Sequence, residues 1–289
     1  MKNYAPQLVK AYSLATGDFN PSILEEEREL AEDYDHERGN QAIILYNEET
    51  KQILKIPYYT RFKVEYVKQI KRKMWHDIYP QIVHYDNFLF GTFEASTRKY
   101  NSQKDAHDKV QRFWNSLMTR IRRQFPWVKI IKSVEWQKNG LGYHIHVLFC
   151  GLRYIDIEWI RETWAKLEPN PHAVKLKPFN NPKWALAYIM KYITKTLRNT
   201  EEIPMSLIIN WALRLRSFSL SRTFRLPKTN SNEKSSGYWV FIGVMPLDLA
   251  LTYTDAEILA YFKYGLPKFG VKFGLKTRIV EFGVWGMEL

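Results

Sequence analysis

From residue 86 onward the chain switches repeatedly between two hydrophobic periods. DNFLFGTFEAS (86–96) is strand-like, and SQKDAHDKVQRFWNSLMTRIRRQF (102–125) then places Val110, Phe113, Leu117 and Ile121 at helical spacing. WVKIIKSVEWQ (127–137) and GYHIHVLFCG (142–151) are both rich in β-formers, and the Asn139-Gly140 step between them is the strongest short-range hairpin signal. IDIEWIRETWAKL (155–167) predicts a helix, AVKLKP (173–178) a short strand, and NPKWALAYIMKYITKTL (181–197) a further helix. Pro182 stands near the start of that helix, where a missing N–H does least harm.

The resulting order, β-α-β-β-α-β and then a helix, predicts an α+β fold. It is the ferredoxin-like or RRM-like split βαβ arrangement, an antiparallel sheet with helices on one face and the other face left for a ligand. Upstream lie an acidic helical stretch, SILEEERELAEDY (22–34), a short strand, QAIILY (41–46), and a basic stretch, KVEYVKQIKRKMW (63–75). Downstream, SLIINWALRLRSFSLSRTFRL (206–226) mixes a helical pattern with a basic run, KTNSNEKSSG (228–237) is a loop, and the remainder is aromatic with frequent glycine. The expected organisation is an N-terminal extension (1–80), a central domain holding the split unit (81–200) and a C-terminal basic and aromatic region (201–289) that binds a ligand or packs on the central domain.

Composition narrows the function. A chain of 289 residues can bury a core without staples, and its single cysteine, Cys150 in an apolar run, leaves neither a disulfide framework nor a Cys-rich zinc site. No apolar N-terminal stretch follows Met1-Lys2, and the late apolar segment 238–262 is broken by Pro246, Asp248, Asp255 and Glu257, so a soluble, cytoplasmic protein is expected. The net charge of +13 favours a polyanion partner, with Arg120 and Arg123 in a basic cluster as candidate DNA contacts.

Candidate chemistry sits in two places. In YHIHVLF (143–149), strand alternation sends His144 and His146 to one face and Ile145, Val147 and Phe149 to the other. If Asn139-Gly140 is a two-residue turn, Lys138 pairs with Leu141 and Glu135 falls opposite His144, their Cβ atoms about 5 Å apart. Glu135, His144 and His146 then form a mixed nitrogen and oxygen site for a divalent metal, suited to Mn²⁺ and less naturally to Mg²⁺. A histidine-triad nucleotide hydrolase would need a third histidine where Leu148 stands.

The second place is the helix AYIMKYITK (187–195). At about 100° per residue, Tyr188, Lys191, Tyr192 and Lys195 share one arc, opposite Leu186, Ile189, Met190 and Ile193. The tyrosines therefore side with the lysines and away from the core-forming residues. A phenol of ordinary pKa, about 10, is a poor nucleophile at neutral pH and needs a cation or base beside it, which Lys191 and the metal would supply. Unlike water, an attacking tyrosine keeps the cleaved strand attached, which suits strand transfer better than degradation.

Taken in chain order, Glu135, His144-Ile145-His146 and Tyr188-x-x-Lys191-Tyr192-x-x-Lys195 resemble the rolling-circle replication initiators of the HUH endonuclease superfamily, from plasmids or viruses. GTFEAS (91–96) loosely resembles the family's first motif strand, and Arg216-Ser-Phe-Ser-Leu-Ser-Arg222 resembles a basic segment that follows the tyrosine helix. The resemblance, over about residues 85–222, implies nicking of origin DNA to a 5′-phosphotyrosine and a free 3′-OH. Tyr188 matches the nucleophile and Tyr192 the second tyrosine of the two-tyrosine branch, and Lys195, Arg216 and Arg222 are the expected DNA contacts beside them. Conjugative relaxases usually place the tyrosine before the histidines, against the order here. GVKFGLKT (270–277) misses the spacing of a phosphate-binding loop, so a host or other helicase and a polymerase are the expected partners. A transposase with the same chemistry, and a non-catalytic RRM-like nucleic-acid-binding module, are the competing readings. The second is disfavoured because histidines stand where such modules carry aromatics.

Overall fold

The structure, a computed structural model, describes residues 21–100, 102–137, 142–197, 203–224 and 239–264. The Asn139-Gly140 turn, the 228–237 loop and the 270–277 segment lie outside the described residues. In chain order the elements are α1 (Pro21–Arg38), β1 (Gln41–Asn47), β2 (Ile53–Tyr58), α2 (Val64–Lys73), β3 (Phe88–Ser96), α3 (Gln103–Gln124), β4 (Lys129–Trp136) and β5 (Gly142–Cys150). There follow α4 (Ile157–Trp164), β6 (Val174–Phe179), α5 (Pro182–Lys195), α6 (Met205–Ala212), β7 (Phe218–Leu220), β8 (Trp239–Pro246), α7 (Leu247–Thr252) and α8 (Asp255–Tyr264). Helical turns at Met74–Ile78 and Tyr79–Ile82 prolong α2.

The main sheet runs β6-β3-β5-β4-β7, antiparallel at each neighbouring pair. The α+β fold and the split order β3-α3-β4-β5-α4-β6 are as expected. The histidine strand β5 is central, between β3 and β4. Its odd-numbered residues Tyr143, Ile145, Val147 and Phe149 join Phe93, Val134, Trp136 and Val174 under α3 and α4, which contribute Trp114, Leu117, Ile121, Ile160 and Trp164. Ser102 opens α3 by accepting a hydrogen bond from the Asp105 N–H at 3.1 Å, and Asp156 caps α4 in the same way from Glu158.

The opposite face, expected to be free for a ligand, carries cover of its own. Phe88, Phe90, Ile131, Leu148 and Cys150 point that way and pack with Ala185, Leu186, Ile189 and Ile193 of α5 and with Val67, Ile70, Met74 and Ile82 of α2 and its continuation. The cause is compositional: an alternate row of large apolar side chains has to be removed from water. A cluster of polar side chains occupies one end of that row, with Thr92 and Glu94 on β3, Ser133 and Glu135 on β4, and His144 and His146 on β5.

Segments from either end of the described chain meet in a second sheet, β2-β1-β8. Its core is Ala42, Ile44, Met245, Ala250 and Ile258, and the Leu247 N–H donates to the Asn40 carbonyl at 2.7 Å. α1 is tied to α6 through Tyr34, Phe62 and Trp211, whose rings lie 5.5–6.2 Å apart. No helix among the described residues is long and apolar enough to cross a membrane.

One pair, the fully buried Tyr143 and the half-buried His107, makes stability pH-dependent. The Tyr143 hydroxyl lies 2.9 Å from His107 Nδ1, and burial pushes the His107 pKa down to about 4. Between the unfolded value near 6.5 and about 4 the unfolded chain binds the extra proton, so stability conferred above that window is lost as pH falls through it. Urea unfolding of His107→Gln should lose less stability than the parent between pH 7 and pH 4, by about 1–2 kcal/mol; parallel pH profiles would contradict this.

Candidate metal centre and tyrosine pair

The cluster is built by pairing across three strands. Glu135 stands opposite His144, the register expected from a two-residue turn. On the other side of β5, Thr92 is opposite His146 and Glu94 opposite His144. Glu135, His144 and His146 each offer a ligand atom within 4.8 Å of the others, which makes them a possible metal site.

The carboxylate is in the state that suits a cation, whereas the proton that His146 Nε2 donates to Glu135 has to leave before that nitrogen can ligate. His146 is 3% exposed, with Nε2 at 3.0 Å from Glu135 Oε2 and Nδ1 at 3.2 Å from Thr92 Oγ1. Burial works to raise the Glu135 pKa, but hydrogen bonds from His146 and Lys195, with their charges, bring it down to about 2, so the carboxylate is ionised at neutral pH. The Lys195 ammonium already lies against Glu135 Oε1, showing that this oxygen attracts a positive charge. Burial lowers the His144 pKa, with a smaller contribution from His146, against the opposing pull of Glu94. Gln137 Nε2 lies 3.1 Å from His144 Nε2, and a donating amide there requires that nitrogen to be unprotonated, the state that ligates a metal. Gly142 permits this approach, since a Cβ at that position would collide with the Gln137 carboxamide.

The tyrosine helix α5 starts with Asn181, whose side chain accepts from the Trp184 N–H at 3.1 Å, and Pro182 fills its first position. Ala185, Leu186, Ile189, Met190 and Ile193 are buried, leaving Tyr188 and Tyr192 half-buried and Lys191 and Lys195 exposed. The Tyr192 ring stacks on His146 with centroids 3.9 Å apart and packs on Phe90 at 5.2 Å. Tyr188 meets Phe90 edge-on at 4.7 Å, and the two tyrosine hydroxyls are 3.5 Å apart. Burial raises the Tyr192 pKa, and the contact with Tyr188 adds to the shift, so Tyr192 stays protonated at neutral pH. Lys177 Nζ lies 4.7 Å from the Tyr188 ring centroid, and Lys191 Nζ lies 6.0 Å from that of Tyr192.

The expected DNA contacts divide. Lys195 is in the cluster. Arg216 is exposed, two residues ahead of β7, where the Val134 N–H donates to the Ser217 carbonyl at 2.8 Å, and so it lies beside the Glu135 end of β4. Arg222 follows β7 at the other end of β4, where the Ser221 N–H reaches the Ile130 carbonyl. Arg120 and Arg123 are exposed on α3, whose buried side covers the face away from the histidines, so the fold does not bring them to the cluster. Thr92, Glu94 and Gln137 had only a faint signal in sequence. Alternation in GTFEAS puts Thr92 and Glu94 on one face, but nothing local announces that β3 pairs with β5.

Residues 89–197, from β3 to just past α5, match the family model described as replication-associated protein ORF2. The whole split unit, the cluster and both tyrosines fall inside that match, which ties the region to DNA replication. The chain is also similar to "Uncharacterized protein 1" of Halorubrum pleomorphic virus 1, at 22% identity over 229 residues, covering 70% of this chain and 45% of that protein. The chain thus spans less than half the length of this viral relative. No solved structure matches it.

The Thr92 hydroxyl turns the His146 ring so that Nε2 faces Glu135, and such supporting contacts typically govern metal affinity by 10–100-fold. Thr92→Val should weaken Mn²⁺ binding by roughly tenfold or more in calorimetric titration, with the fold retained. An unchanged affinity would remove Thr92 from the site.

Proposed function

We propose that the protein initiates rolling-circle replication as a metal-dependent, tyrosine-dependent endonuclease of the HUH superfamily, nicking one strand of single-stranded DNA at an origin and later rejoining it. The observation that carries this reading is the direct stacking of Tyr192 on His146, with the Tyr188 hydroxyl 3.5 Å from that of Tyr192. Two candidate nucleophiles thereby adjoin a possible metal site, within the segment similar to replication-associated proteins.

Glu135, His144 and His146 would hold a divalent ion, Mn²⁺ or Mg²⁺, and when bound it would draw charge from the scissile phosphate. The two-nitrogen, one-oxygen donor set suits Mn²⁺ better. The protein's own residues account for the remaining chemistry. Lys177 and Lys191 flank the tyrosines with positive charge where a phosphodiester must be received. The two hydroxyls lie 3.5 Å apart, and in this reading Tyr188 attacks first and Tyr192 serves the second transfer. In that attack the Tyr188 oxygen bonds to phosphorus and gives up its proton, and the P–O3′ bond breaks. The 3′ oxygen takes up a proton and is left as a primer end. Because α5 is clamped to the sheet by its buried face, the tyrosines meet the cluster in fixed geometry. Lys195, Arg216 and Arg222 are the proposed strand contacts, and unwinding and synthesis fall to a helicase and polymerase from elsewhere.

Incubating the protein and Mn²⁺ with single-stranded DNA carrying the replicon's origin should give a protein-linked strand on a denaturing gel. Tyr188→Phe/Tyr192→Phe and His146→Ala should each reduce that adduct by at least on the order of a thousandfold. An adduct undiminished in the double variant refutes the nucleophiles, and its absence from the parent refutes the nicking reading.

A further inference from the structure

A cavity of about 480 Å³ lies beside Tyr188, on the side away from the histidines, lined by Lys177 and Phe179 at the end of β6 and by Asn181, Trp184, Tyr188 and Lys191 of α5 and its cap. Trp184 is 67% exposed, and among the described residues its ring packs on no other aromatic and its indole N–H has no hydrogen-bond partner. The core's needs on α5 are met by Ala185, Leu186, Ile189 and Ile193, which leaves the Trp184 indole free to meet a ligand. Neither Lys177 nor Lys191 has a carboxylate within ion-pair distance among the described residues; Lys177 Nζ rests over the Phe179 and Tyr188 rings at 5.2 and 4.7 Å and Lys191 Nζ 6.0 Å from the Tyr192 ring, whereas neighbouring Lys175 is paired with Glu94 at 3.1 Å.

The cavity adjoins the candidate site through Tyr188. Trp184, Tyr188 and Tyr192 recur every four residues and so form one stripe along α5. The stripe ends on His146 through the Tyr192 stack. Tyr188 is the shared wall: its ring packs on Phe179 at 5.1 Å on the cavity side and on Phe90 at 4.7 Å on the sheet side. Aromatic faces flanked by cations that no carboxylate neutralises are the composition that takes an unstacked base and its phosphates. A duplex could not use it, since its bases are already stacked on one another.

We infer that this cavity is a base-stacking subsite for single-stranded DNA, in which Trp184 and Phe179 take one base next to the phosphate presented to Tyr188, and Lys177 and Lys191 take the flanking phosphates. The base's position relative to the nick rests on the proposed nicking activity; the stacking itself does not. The subsite reads π-surface rather than base edges, so it holds any base and supplies grip and alignment rather than origin sequence.

The test is binding of fluorescein-labelled oligo(dT), about 15 nucleotides long, to the full chain in EDTA, where no metal-dependent nick can occur, with a duplex of the same length as control. Trp184→Leu keeps an apolar side chain and discards the π-face, and should weaken single-strand binding by roughly tenfold. Trp184→Phe should stay within about threefold of the parent, and duplex binding should be unaffected by either. Equal binding by the Leu and Phe variants, or equal loss against duplex, overturns the subsite. With Mn²⁺ and origin DNA, Trp184→Leu should raise KM for adduct formation by a similar factor. A parent that forms no adduct yet keeps the Trp184 dependence sinks the nicking reading and leaves the subsite standing. An adduct formed by Trp184→Leu with unchanged KM sinks the subsite and leaves nicking standing.

Discussion

A β-strand cannot send consecutive side chains to the same side, and that two-residue period on β5 is the constraint on which the rest of this structure depends. Tyr143, Ile145, Val147 and Phe149 are all fully or almost fully buried beneath α3 and α4. Holding them there commits His144 and His146 to the other face. A slip of one residue would drive both imidazoles into an apolar core and deliver isoleucine and valine to the metal site. Core packing and site chemistry therefore enforce one register. The same register brings Glu135 from β4 and Thr92 from β3 to the histidines without any loop having to find its place.

Phe90 ties that strand geometry to the tyrosines. It is 3% exposed, stacks at 6.0 Å from His146, and touches Tyr188 and Tyr192 at 4.7 and 5.2 Å. One side chain of β3 thus spaces the helix from the cluster. Sites carried by helices and strands lose less alignment to thermal motion than sites on loops. The aromatic stripe of α5 extends this rigid frame outward to Trp184, where the protein meets solvent.

The elements downstream of α5 brace the edge of the sheet that bears Glu135. Ser206 on α6 accepts from the Trp136 N–H at 3.0 Å, and the Trp136 indole donates to buried Asn210, which in turn reaches Ser217 ahead of β7. Each of these four side chains has a hydrogen-bond partner, which lets a tryptophan, an asparagine and two serines lie in the interior at little cost. The brace fixes β4 one residue beyond the carboxylate and sets Arg216 close by.

Much was written locally. Period-two and period-3.6 patterns marked the split unit, strand alternation put both histidines on one face, and the Asn-Gly step was enough to count Glu135 opposite His144. The lysine and tyrosine arc of α5 was likewise readable from 100° spacing, because each of these features depends only on residues near one another in the chain. What required tertiary structure was every contact between distant segments. That Thr92 orients His146, that Tyr192 lies on the same imidazole, and that Lys177 sits over Tyr188 all follow from pairing of β3 with β5 and β6 and from α5 crossing the sheet. The cover over the second sheet face and the removal of Arg120 and Arg123 to the far side were invisible for the same reason. Local sequence sets which face a residue takes on its own element, whereas which faces meet is decided by burying all the apolar rows at once.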